Sequence, residues 1–74
     1  MTELADISGK EALRVFVRLG YRVIRQRGSH VRMKHHDPSR HPLTIPMHKV
    51  IALGLMHRLL RDAGITMEEF KELL

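Results

Sequence analysis

Arg25-Gln26-Arg27-Gly28-Ser29-His30-Val31-Arg32-Met33-Lys34 is the stretch that decides the fold. Its second half alternates: Val31 and Met33 point to one side of an extended chain, and His30, Arg32 and Lys34 to the other. Such alternation describes a half-buried strand with one apolar and one basic face. A Gly-containing turn precedes it, so the chain doubles back as a hairpin onto residues 21–26, a run rich in β-formers. With Arg27-Gly28 as a two-residue turn, Gln26 opposes Ser29, Arg25 opposes His30, and Ile24 meets Val31 on the inner face. A three-residue loop would pair Ile24 with Arg32 across the apolar face and waste burial, so the shorter turn is expected. This register leaves His30 among the cations Arg25, Arg32 and Lys34.

On the N-terminal side, Ser8 and Glu11 have the spacing of a capping box, in which hydroxyl and carboxylate each satisfy an orphan backbone donor. A helix therefore begins at about Gly9, with Ala12, Leu13, Phe16, Val17 and Leu19 apolar and Gly20 at the left-handed stop. Lys10, Arg14 and Arg18 recur every four residues, a stripe of like charge that costs helix stability unless an anion offsets it. On the C-terminal side, residues 36–42 read as a polar loop, since two prolines and an Asp-Pro step interrupt any regular pattern. Leu43-Thr44-Ile45 is a third, short strand. Pro46 cannot donate to a ladder, so the strand ends there or lies at an edge. A second helix over about residues 51–63 carries Ala52, Leu55, Met56, Leu59 and Leu60 on its apolar face and stops at Gly64. Thr66 and Glu69 form a second capping box, opening a short acidic helix through Leu74 with Met67, Phe70, Leu73 and Leu74 apolar. The order helix, three strands, helix, short helix predicts an α+β fold. A three-stranded antiparallel sheet carries its helices on one side and leaves its other face free.

At 74 residues the chain is one domain, 1–74, with little core to spare. It has no cysteine, which excludes disulfides and thiolate metal sites and implies an intracellular protein. No long apolar run predicts a membrane span, and the acidic opening Met1-Thr2-Glu3-Leu4-Ala5-Asp6 is not that of a signal peptide, so a cytoplasmic location is expected. The net charge of +5 understates how charge is placed. Between residues 10 and 61 stand twelve Lys or Arg and only two acids, Glu11 and Asp37, while the remaining acids lie towards the ends. This segregation points to a polyanionic partner, most simply a nucleic acid.

With those residues in view, the chain resembles the HicA family of toxin ribonucleases. The similarity runs through Gly20-Tyr21, Arg25-Gln26-Arg27-Gly28-Ser29-His30 and Leu43-Thr44-Ile45-Pro46-Met47-His48. It continues through Gly54 and Leu59-Leu60-Arg61-Asp62-Ala63-Gly64-Ile65 to Glu68-Glu69-Phe70 and so covers nearly the whole chain. The resemblance implies the α-β-β-β-α fold of double-stranded RNA-binding domains, cleavage of messenger RNA, and control by a HicB-type antitoxin that blocks the active face. Where the family usually has Gly-Thr-Leu at the second helix, this chain has Gly54-Leu55-Met56, losing a hydroxyl that could cap the helix or touch phosphate.

Elementary chemistry agrees. RNA is cut without a metal or other cofactor when a base removes the 2′-hydroxyl proton and lets the oxygen attack the adjacent phosphate. His30 suits that role, or that of the acid, and Arg25, Arg32 and Lys34 would stabilise charge developing on the phosphorus oxygens. Arg27, Gly28, Ser29, His48 and Lys49 complete the expected RNA-binding set, and His48 is also a candidate leaving-group acid. His35, His36 and His41 lack a carboxylate or thiolate at ligand spacing, so no metal site is expected. Two other classes fit less well. A helix-turn-helix made by the last two helices would present Glu68, Glu69 and Glu72 to a DNA backbone. A non-catalytic double-stranded RNA-binding module fits the topology and differs only in whether His30 does chemistry.

Overall fold

Both capping boxes form and fix where their helices start. In the computed structural model, which describes residues 6–74, the Ser8 hydroxyl accepts the Glu11 amide at 3.1 Å and the Glu11 carboxylate accepts the Ser8 amide at 2.9 Å. The backbone bond, aided by the Ser8 hydroxyl, holds the Glu11 carboxyl below its ordinary range. Helix α1 runs Gly9–Leu19 and ends at Gly20, whose φ of 112° is a left-handed conformation suited to glycine. Strands β1 (Arg22–Arg27), β2 (His30–Lys34) and β3 (Leu43–Pro46) follow, forming an antiparallel sheet in that order. Helix α2 (Leu53–Ala63) ends at Gly64, and the Thr66–Glu69 box opens α3 (Met67–Leu73). This is the α+β arrangement of the double-stranded RNA-binding fold, extended by α3. The opening segment read as lacking signal-peptide character lies, for residues 1–5, outside the described residues. No helix among the described residues is long and apolar enough to cross a membrane.

One face of the sheet is core. Val31, Met33, Leu43 and Ile45 are buried beneath α1 and α2, as the alternation in β2 requires. Phe16 sits at the centre, edge-on to Tyr21 at 5.8 Å between ring centroids and tilted against Phe70 at 5.7 Å. The buried Tyr21 hydroxyl donates to the His41 carbonyl at 2.7 Å, and burial pushes the phenol up from its usual range.

The structure corrects several details. The hairpin turn is Gly28-Ser29, not Arg27-Gly28: Arg27 pairs with His30, Gln26 with Val31 and Arg25 with Arg32. Both common two-residue hairpin turns need a positive φ at their first central residue. Gly28 takes it, at 59°, where Arg27 would have been strained. Ile24 then falls at a bulge between Val23 and Arg25 and is 47 % exposed, so it does not meet Val31 on the inner face. In α1 the buried stripe is Ala12, Val15 and Phe16, while Val17 is turned outward. Ala52 is the exposed N-cap of α2, with no side-chain cap bond, rather than a core residue, and Leu74 is also exposed. The charge on Arg18 is offset by carbonyls, since its guanidinium donates to Leu73 O at 2.7 Å and more weakly to Leu74 O.

Candidate active site

Residues directly opposed in an antiparallel sheet share a face, so the pairs Arg27–His30 and Arg25–Arg32 place all four side chains on the side away from the core. With Thr44 of β3 they line an open cleft of about 200 Å³. Arg32 donates to the Thr44 hydroxyl at 2.8 Å, which ties the middle of the cleft to the neighbouring strand. Gln26 donates to the Gly28 carbonyl at 3.0 Å and steadies the turn beside it. Arg25, Arg27, His30 and Arg32 thus come together; the sequence predicts Arg25 and Arg32 beside His30 but puts Arg27 in the turn, and His30 faces Arg27 rather than Arg25. Lys34 lies on the same face opposite Arg22, beyond the cleft.

His48 also reaches the site. His30 pairs with Pro46 at the end of β3, so the chain leaving β3 passes beside His30. Two backbone bonds fasten that segment: Met47 N–H donates to Ser29 O at 2.6 Å, and Gly9 N–H donates to His48 O at 2.9 Å. The result is a pair of exposed imidazoles, His30 and His48, with ring centroids 6.3 Å apart and planes inclined at 69°. Lys49, next in the chain, lines a groove with Ser8, Lys10, Met47 and His48 rather than the arginine cleft. Gly28 and Ser29 are exposed at the turn.

Gly9 has a specific part in this arrangement. A Cβ on Gly9 would collide with the Pro46 carbonyl oxygen and come within 2.7 Å of Met47 Cα. Gly9→Ala is therefore expected to destabilise the fold by about 1–3 kcal/mol, read as a lower midpoint in urea, and to slow any reaction that needs His48 beside His30. An unchanged midpoint would show that helix and loop separate freely.

The other histidines stand apart. His35 follows β2 at the end remote from His30 and commits both ring nitrogens to backbone: Nε2 donates to Leu19 O and Nδ1 accepts from Asp37 N–H, each at 3.0 Å. It stacks on His36 at 4.6 Å. Two residues beside the cleft were missed by sequence reasoning. Thr44 is signalled by alternation in β3, since Leu43 and Ile45 point inward. Arg58 lines a second cleft that shares Arg32 and Thr44 with the first; nothing in the helical pattern of α2 pointed to it.

An exposed imidazole among guanidinium groups can transfer protons while the arginines hold phosphate oxygens. No curated protein matches the chain. A family model, the HicA toxin of bacterial toxin-antitoxin systems, matches residues 9–65, which spans α1, the whole sheet, α2 and its cap. The chain therefore belongs to the HicA toxin family.

Proposed function

We propose that this toxin is a metal-independent endoribonuclease that cuts messenger RNA, with His30 as the general base. The observation that carries the reading is His30 in a cleft walled by Arg25, Arg27 and Arg32 on the open face of the sheet. In the reaction His30 takes the proton of a 2′-hydroxyl, O2′ bonds to the adjacent phosphorus, and the P–O5′ bond breaks. The products are a 2′,3′-cyclic phosphate and a 5′-hydroxyl. Arg25, Arg27 and Arg32 hold the phosphate and stabilise its growing charge. Lys34 and Lys49 extend the phosphate track, and the Gly28-Ser29 turn lets backbone approach RNA closely. Tyr21 and both phenylalanines are buried, so recognition rests on phosphates and shape rather than on stacking.

The test is incubation of the wild type and His30→Ala with structured RNA in excess chelator, followed by end-group analysis. Cutting by the wild type alone, leaving cyclic-phosphate ends, is expected. Intact RNA with binding retained by the wild type would favour a non-catalytic double-stranded RNA binder, which the fold also accommodates.

Membership of a toxin–antitoxin family implies an antitoxin partner. A HicB-type antitoxin docking on the open sheet face would present carboxylates where RNA presents phosphates. The double variant Arg25→Ala/Arg32→Ala is then expected to weaken RNA and antitoxin alike, each by roughly tenfold or more. Titration calorimetry against both ligands checks this; loss of only one affinity would mean separate surfaces.

A further inference from the structure

We infer that His48 is the second catalytic residue of this site, the general acid that protonates the leaving 5′-oxygen. The inference rests on the ribonuclease reading above and adds the partner that His30 requires. In an in-line displacement the attacking and leaving oxygens lie on opposite sides of phosphorus, so one imidazole cannot serve both at once. Two rings 6.3 Å apart, inclined at 69°, can flank a phosphate with a ring nitrogen within about 3 Å of each oxygen.

The other groups near the cleft are unsuited to the role. Arg25, Arg27 and Arg32 do not release protons, because guanidinium stays charged at any working pH. The Thr44 hydroxyl, which accepts a bond from Arg32, is an aliphatic alcohol and far too weak an acid. Lys34 lies at the far end of β2 from His30, opposite Arg22, and the Tyr21 hydroxyl is turned to the His41 carbonyl. His48 has what the role needs: an exposed ring that can carry and release a proton, and a main chain fastened on both sides. The bonds from Met47 to Ser29 and from Gly9 to His48 fix the backbone and leave the imidazole to the solvent and the substrate.

Protons and bonds balance. His30 gains the proton of the 2′-hydroxyl as O2′ bonds to phosphorus; the P–O5′ bond breaks, and O5′ takes the Nδ1 or Nε2 proton of His48. The pair ends with His30 protonated and His48 neutral, and exchange with water restores both, since both rings are exposed.

The test uses a short RNA that the wild type cuts at one linkage, and the same RNA with sulfur replacing the 5′-oxygen there. A thiolate leaves without protonation, so it needs no acid. His48→Ala is expected to cut the oxygen substrate about 10²-fold or more slowly than the wild type and the sulfur substrate at close to the wild-type rate. His30→Ala should be slow on both. The wild-type pH–rate profile should be bell-shaped, and His48→Ala should lose its alkaline descent, because that limb reports loss of the protonated acid. Wild-type speed of His48→Ala on the oxygen substrate would overturn the assignment, as would equal slowing on both substrates, the mark of a phosphate contact. Rescue of His30→Ala by sulfur would overturn it by reversing the roles. Failure of the wild type to cut either RNA would overturn the ribonuclease reading and this assignment together. In the other failing outcomes wild-type cleavage persists, so the two failures are distinguishable.

Discussion

Alanine at position 30 is expected to lower RNA cleavage by about 10²- to 10⁴-fold while leaving the fold and most of the RNA affinity in place. On the proposed mechanism, what is removed is a proton acceptor acting only in the transition state. Little else should change. His30 opens β2 on the exposed face, away from the buried layer formed by Val31, Met33, Leu43 and Ile45. The arginines proposed to hold phosphate remain, so binding should survive and the loss should fall on the single-turnover rate at saturating protein. Stopped-time cleavage assays with binding titrations separate the two. A variant that binds RNA as poorly as it cuts it would make His30 a contact residue instead of the base.

Phe70→Ala is expected to cost about 3–5 kcal/mol, the largest stability effect of any single substitution considered. A chain of 74 residues has in all about 4–11 kcal/mol of stability, so this variant should melt far below the wild type or fail to fold at ambient temperature. Phe70 is fully buried against Phe16, and it is the one buried residue of α3. A seven-residue helix has no stability of its own; its existence depends on that contact and on the Arg18 bonds to its last carbonyls. Phe70→Leu keeps most of the volume and should cost less than half as much. Guanidinium unfolding of both variants checks the pair. A cost below about 1 kcal/mol for Phe70→Ala would mean that α3 is an ornament on a core complete without it.

Most helix ends were legible because they are written in side chains, two capping boxes and two stop glycines acting within a few residues of one another; α2, with no side-chain cap, starts at Leu53 rather than near residue 51. The inner face of β2 was legible for the same reason, since alternation is local. Register was not. Choosing Gly28-Ser29 over Arg27-Gly28 depends on which residue takes positive φ, and the burial expected of Ile24 argued for the wrong answer. β1 is an edge strand on which α1 and α2 hardly lean, and all six of its residues are exposed, so burial exerts little control there. Arg25 and Arg32 share the face of His30 in either register, whereas Arg27, expected in the turn, joins them only in the observed one. The meeting of His30 with His48 was the least legible feature. It depends on bonds between the turn, the chain after β3 and the start of α1, which are far apart in sequence.

The hairpin sets Arg25 opposite Arg32 and Arg22 opposite Lys34, so its open face is assembled against its own repulsion. Ionic strength should then move two properties in opposite directions. Mobile anions screen the opposed cations, so the melting temperature of the free protein should rise between low and moderate salt, where the Debye length shrinks from about 30 Å to about 10 Å. Over the same range RNA affinity should fall, because each phosphate contact releases counterions on binding and added salt opposes that release. Calorimetric melts and binding titrations across one salt series test the pairing. If both properties weakened together, the opposed cations would not be limiting the hairpin. If they diverge, RNA stabilises the folded toxin most under the dilute conditions in which the toxin alone is weakest.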